Sequence, residues 1–295
     1  MQAVDVRVPT RAADLYELTK PRIALLVLVT TVGAMVWAAD GVPPLGILVA
    51  TVVGMSLLSG GAGALNHLLD RDVDRLMRRT SSRPIAAGRL SPEIGAAAGM
   101  ALIIVGTAVM WAGTNPVATA LGVCGAFFYV VIYTAYLKRR TPQNIVIGGA
   151  AGAIPPLAGW AAVTGEIALA PVVMFLIIFL WTPPHFWALA LMAKEDYRAA
   201  GIPMLPVVVG DERTARQILV YTVVLTIVSI APVAVGLLGL PYLIAAALLG
   251  ARFIQLGVRL LRDQSRPVAR AMFLYSLVYL ALIFAAMGLD RALVA

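Results

Sequence analysis

The chain has 295 residues, is 61% hydrophobic and only 13% charged, and carries a net charge of +8. Its mean hydropathy of +0.90 is more apolar than a soluble domain needs to fill a core, which excludes a water-soluble fold. The single cysteine, Cys124, excludes a disulfide framework and a cysteine-based zinc site.

Runs of roughly 18 or more apolar residues mark membrane spans. Nine follow in chain order, at about 23–39, 45–65, 94–112, 117–137, 145–163, 167–193, 218–238, 241–261 and 271–289. In lipid each backbone polar group must bond within its own segment, so the expected fold is an all-α integral membrane protein of nine transmembrane helices. The runs are continuously apolar rather than alternating, which excludes a β-barrel. Cys124 falls inside the fourth run and is expected as a small core residue. The first run is preceded by Asp5, Asp14 and Glu17 and is not expected to be a cleavable signal peptide. The same acids argue against a mitochondrial transit peptide and point to a bacterial inner membrane.

The basic residues alternate by connector. Those after runs one, three, five and seven hold no Lys or Arg, whereas those after runs two, four, six and eight hold Arg71 to Arg89, Lys138 to Arg140, Lys194 to Arg213 and Arg262 to Arg266. The N-terminal segment, 1–22, adds Arg7, Arg11, Lys20 and Arg22. This is the positive-inside pattern, with a cytoplasmic N-terminus, cytoplasmic charged loops and an outside C-terminus. Topology therefore accounts for the positive charge, and no nucleic-acid partner is expected.

The richest loops follow runs two and six. "RPIAAG" (Arg83–Gly88) resembles "LPVVVG" (Leu205–Gly210), and the separation that carries Pro84 onto Pro206 also carries Thr19 onto Thr141 and Asp74 onto Asp196. A single membrane domain built of two four-helix units is expected, approximately 19–137 and 141–261, with a ninth helix at about 271–289. Repeat proteins of the membrane often place their site where the halves meet, so the two charged loops are expected to face one another.

The segment "NHLLDRDVDRLMRRTSSRPIAAGRL" (Asn66–Leu90) mixes both charges. On a helix, Asn66, Asp70 and Asp74 at i, i+4 and i+8 share one face, whereas Asp72 lies off it near Arg71 and Arg75. Oxygen donors on one face at the end of a span suit Mg²⁺, which takes one or two carboxylates plus substrate phosphates. Arg75, Arg78, Arg79 and Arg83 then suit phosphate oxygens. The plain alternative is a solvated loop that sets topology, laced by weak ion pairs.

N-x3-D-x-D-x-D after the second span resembles the first aspartate-rich motif of the UbiA superfamily of intramembrane prenyltransferases. "LTKPRI" (Leu18–Ile23), "YTAYLKRRTPQNIVIGGAAGAIPPLAGW" (Tyr133–Trp160), "WTPPHFWALA" (Trp181–Ala190) and "DYRAAGIPMLP" (Asp196–Pro206) resemble the members that farnesylate heme, over about residues 14 to 290. The resemblance implies transfer of the farnesyl group of farnesyl diphosphate to a vinyl group of heme b, with water addition and release of diphosphate. It implies Mg²⁺ on Asn66, Asp70 and Asp74, with Asp196 as an opposing ligand. Arg75, Arg79, Arg83, Lys138 and Lys194 are then diphosphate contacts, with heme b as substrate rather than cofactor. A downstream heme-modifying or oxidase-assembly protein is the implied recipient. Two positions depart from the superfamily. Its second motif, D-x3-D, is matched only by Asp196, because Ala200 stands at the second acid; and Y-x3-K reads here as Tyr133-x4-Lys138.

Several side chains keep two readings. His185, after the proline pair, contacts heme, or it bonds a carbonyl freed where the prolines break or kink the helix. His67 orients a phosphate or points outward. Trp181, Phe186 and Trp187 line a porphyrin slot or simply pack. Arg252, near the middle of the eighth run, meets a heme propionate or snorkels to the cytoplasm. Lys20 and Arg22 anchor the first span or bind diphosphate or propionate. Rival activities are prenylation of an aromatic quinone precursor and non-catalytic heme delivery or transport.

Overall fold

A computed structural model describes residues 10–294; Asp5 and Arg7 lie outside the described residues. Among those residues all regular structure is helical, and nine helices are long and apolar enough to cross a membrane. They are Pro21–Ala38, Leu45–Leu69, Pro92–Gly113, Pro116–Leu137, Asn144–Thr164, Leu169–Met192, Asp211–Ala234, Leu240–Arg262 and Arg266–Arg291, called spans one to nine below. Each overlaps one apolar run. Spans seven and nine begin earlier than their runs because helical hydrogen bonding continues past the hydrocarbon into charged sequence such as Asp211–Arg216.

The span starts are written locally. Pro21, Pro92 and Pro116 occupy first-turn positions, where the missing N–H costs nothing. Ser91 and Asn115 cap spans three and four by accepting from Ile94 N and Ala118 N at 3.4 and 3.0 Å. Spans two and three approach backbone to backbone through glycine: a Cβ on Gly61 would stand 2.7 Å from the Gly99 carbonyl oxygen. Lipid offers little hydrophobic force between helices, so close packing of small residues replaces it.

The outer surface is apolar, with Leu25, Leu26, Val29, Ile104, Leu248 and Leu282 exposed, as a protein embedded in lipid requires. Cys124 is exposed there too, which corrects its expected core position: it sits on the outward stripe of span four. Inside, the largest core cluster joins Val73 and Met77 from the loop after span two to Tyr197, Ile202 and Met204 from the loop after span six. The two charged loops thus share one core cluster at the same end of the bundle.

Two spans depart from simple α geometry. Span five is broken at Ile154, ahead of Pro155 and Pro156. Span four changes at Phe128 into a π-helix running to Leu137. Of the break or kink expected at Pro183 and Pro184, the break does not occur: helix runs through both prolines in span six.

Candidate active site

The acidic segment forms a short helix, Arg71–Leu76, that continues span two. Asp70 N bonds Asn66 O at 2.9 Å and Asp74 N bonds Asp70 O at 2.8 Å, so the i+4 ladder runs through the junction. Asn66, Asp70 and Asp74 therefore keep one face, and all three are buried. The solvated-loop alternative fails for them.

Each is held by a cation. Lys20 donates to Asn66 Oδ1, Lys138 to Asp70 Oδ2 at 2.5 Å, and Arg83 to Asp74 Oδ2 at 2.7 Å. Asn66 Nδ2 also donates to Asp70 Oδ2 at 2.8 Å and to Thr134 Oγ1 at 3.0 Å. Asp70 Oδ1 is buried without a hydrogen-bond partner, with Arg139 no nearer than 4.0 Å. A buried carboxylate oxygen left bare is costly unless a cation completes it, so these donors fit Mg²⁺. Among the described residues no three His, Cys, Asp or Glu side chains gather as a ligand set. Two carboxylates and an amide are what a metal relying on substrate phosphates needs.

The departure at Tyr133-x4-Lys138 has a geometric explanation. Lys138 N bonds Tyr133 O at 2.8 Å, an i to i+5 bond of the π-helix. The wider turn puts these two residues on one face despite the extra residue between them. The same geometry lets Thr134 Oγ1 reach Tyr129 O at 2.8 Å. Gly148 makes room for Tyr133: a Cβ there would stand 2.3 Å from the ring.

Lys20 lies at the left-handed cap of span one, φ 51°, and donates also to Tyr129 OH at 3.0 Å. Burial first, then the nearby Arg83 and Lys138 charges, push its ammonium well below the ordinary lysine range. Tyr129 and Thr134 were missed from sequence. Tyr129 was findable, four residues before Tyr133, but Thr134 is brought in only by the π-turn.

Other expected contacts lie elsewhere. Arg75 donates to Ala86 O at 2.9 Å and braces its own loop. Arg79 carries its charge near Tyr197, whose hydroxyl is pushed up by burial while Arg79 opposes the shift. Asp196, half-buried beside Tyr197, forms no ion pair among the described residues. Lys194 donates to Asp211 Oδ1 at 2.7 Å. Arg22 is exposed. Arg252 is exposed too and donates to Gln255 at 2.5 Å. Asp72, expected near Arg71 and Arg75, instead receives both Arg139 bonds at 2.8 Å, and this partner holds its carboxyl down at about 2.

His185 bonds Ser276 Oγ through Nδ1 at 2.7 Å, not a carbonyl freed by the prolines. Its ring stacks between Trp181 and Phe273, centroids 4.3 and 4.7 Å away. Trp181 also donates to Ser276 O at 2.7 Å. Trp187 turns the other way, edge-on to Tyr221 at 5.4 Å, so the three aromatics do not line one slot. His67 is buried, with Nδ1 unpartnered.

Comparison with known proteins gives the family and the fold. The profile of the UbiA prenyltransferase family matches residues 27–283. A protoheme IX farnesyltransferase of Gloeobacter violaceus is 54% identical over 94% of this chain and 91% of its own length. One from Thermus thermophilus is 48% identical over 95% of this chain but only 46% of its own length, so the chain spans about half of that longer relative. The fold is shared with a structure titled for digeranylgeranylglyceryl phosphate synthase, at TM-score 0.80 and 18% identity, covering 94% of this chain and 97% of that one. It is also shared with a UbiA homolog of Archaeoglobus fulgidus bound to GPP and Mg²⁺, at TM-score 0.62 and 17% identity, covering 93% and 99%. The chain belongs to the UbiA prenyltransferase family and is a membrane prenyltransferase, grouped with the protoheme IX farnesyltransferases.

Proposed function

We propose that the protein transfers the farnesyl group of farnesyl diphosphate to a vinyl group of heme b. The allylic C–O bond breaks, a C–C bond forms to the vinyl group, water adds a hydroxyl, and diphosphate and a proton leave. The observation that carries this reading is the buried Asn66–Asp70–Asp74 face with a cation on each member and one bare carboxylate oxygen. Relatives named for this activity cover nearly the whole chain.

When bound on Asn66, Asp70 and Asp74, Mg²⁺ supplies Lewis-acid neutralisation of the leaving diphosphate. Lys20, Arg83 and Lys138 then exchange their carboxylate and amide partners for diphosphate oxygens, where preorganised cations lower the barrier to ionisation. Arg79, near Tyr197, would close the loops over the anion, and Asp196 would face the diphosphate and its metal from the second loop. The apolar bundle interior keeps water from the farnesyl cation until the vinyl group attacks.

His185 is the proposed heme contact. Ser276 Oγ donates its only proton to Phe273 O at 2.6 Å, so His185 Nδ1 must be the donor in their bond. That leaves the lone pair on Nε2, the state that ligates iron.

The two-unit repeat is part of this proposal. The separation of Pro84 from Pro206 carries spans one to four, and the helix Arg71–Leu76, onto spans five to eight and Lys194–Ala199 within a few residues. The setting proposed is a bacterial inner membrane, with the charged loops cytoplasmic and the C-terminus outside.

The test is purified protein in nanodiscs with Mg²⁺, farnesyl diphosphate, heme b and a competing aromatic quinone precursor, with products separated by chromatography and weighed. A heme gaining farnesyl and hydroxyl groups is expected. Unmodified heme beside a prenylated quinone precursor, or heme passed on unaltered, would reject the proposal.

A further inference from the structure

We propose that the protein carries a second anion site, a seat for the headgroup phosphate of a membrane phospholipid, at the cytoplasmic ends of spans five, six and seven. A cavity of about 370 Å³ opens there, at the small end of the usual range for ligand sites. Its polar wall carries two arginines, Arg213 and Arg216 from the first turns of span seven, with the amides of Gln217 beside them and Gln143 just ahead of span five. Trp187 adds an indole N–H that is buried at the wall and has no acceptor.

No carboxylate lines this cavity. The two acids nearest in sequence are engaged: Asp211 accepts from Lys194 at 2.7 Å, and Glu212 accepts from Arg216 at 3.3 Å. Arg213 forms no ion pair among the described residues. The N-terminal end of span seven adds its partial positive charge. Arg213 without an ion pair and the Trp187 N–H without an acceptor, gathered near a helix start, are complementary to an anion.

The remaining wall chooses the source. Leu205 and Val209, from the short helix that returns to the bundle, and the ring of Tyr221 make it apolar. A soluble phosphate gains nothing from those surfaces, whereas a lipid lays its glycerol and upper acyl chain on them. The site lies at the span ends, the level of the headgroups of the cytoplasmic leaflet, where basic side chains attract anionic lipid. None of its residues belongs to the Asn66–Asp70–Asp74 face. Trp187 turns towards Tyr221, while His185, two residues earlier on span six, turns to Ser276.

The experiment is native mass spectrometry of the full chain after exchange into phosphatidylglycerol or phosphatidylcholine. The wild-type protein should retain phosphatidylglycerol roughly tenfold better. The double variant Arg213→Gln/Arg216→Gln should lose that preference, while Arg262→Gln, an arginine outside the cavity at the same membrane edge, should keep it. All three side chains are exposed, so folding is not at stake. Equal retention of the two lipids by wild type, or an undiminished preference in the double variant, would overturn the proposal. A further arm adds excess inorganic diphosphate. Retained phosphatidylglycerol is expected; its displacement would assign the cavity to a soluble anion and overturn the lipid assignment.

Discussion

Lys138 and Asp70 meet at 2.5 Å, one from the residue after a π-helix and the other from the junction where span two becomes the acidic helix. Both are buried, and each is the other's nearest opposite charge. Removing one member of such a pair strands the other charge, at a cost of about 3–5 kcal/mol. Lys138→Met should therefore destabilise the protein by that order in thermal unfolding, and Lys138→Arg should recover part of it.

Gly148→Ala tests the π-turn. The added methyl would overlap the Tyr133 ring, and overpacking of this kind costs about 1–3 kcal/mol. Activity should fall with stability because Tyr133 and Lys138 share the displaced turn. Tyr133→Phe keeps the ring and should leave stability near wild type, so a stability loss as large as that of Gly148→Ala would contradict the packing account.

Asp72 and Asp70 should part company. Asp72 is largely exposed and bound to Arg139, and exposed pairs contribute about 1 kcal/mol or less. Asp72→Asn should keep activity within about threefold, with an effect on stability that salt removes. Arg139 depresses the Asp72 pKa to about 2, so the pair's contribution is complete above the ordinary carboxylate value and lost as pH falls towards 2. Unfolding temperatures at neutral pH and at pH 3 should narrow the gap between wild type and variant, and a gap that widens in acid would contradict the assignment.

His185 is tested by spectroscopy. Ser276→Ala removes the acceptor that fixes its tautomer, and loss of such a supporting bond lowers ligand affinity about 10–100-fold. Heme titration followed by the Soret band should show that loss, and His185→Ala should abolish the shift altogether. An unchanged titration in both variants would remove His185 from the heme site.

The nine spans and the acid face were legible because their signals are periodic: apolar run length for the spans, and a spacing of four for Asn66, Asp70 and Asp74. Side-chain direction was less legible. Arg75 follows the acids in sequence yet turns to Ala86 O, and Asp72 finds Arg139 from a different loop. Thr134 and the Tyr133–Lys138 pairing depend on a change of helical pitch that apolar sequence does not announce. Cys124 was placed in the core because hydropathy cannot tell a lipid-facing stripe from a protein-facing one when both are apolar.

Asp70→Asn carries the central claim, since this side chain is fully buried, cation-bound and bare at one oxygen. The decisive measurement is extraction of hemes from a bacterial host lacking farnesylated heme, expressing either the wild-type chain or this variant. Wild type should yield heme bearing farnesyl and hydroxyl groups. Asp70→Asn, present in the membrane at equal level, should yield at least about 100-fold less. Farnesylated heme at wild-type amounts from the variant, or none from stably inserted wild type, would contradict the account.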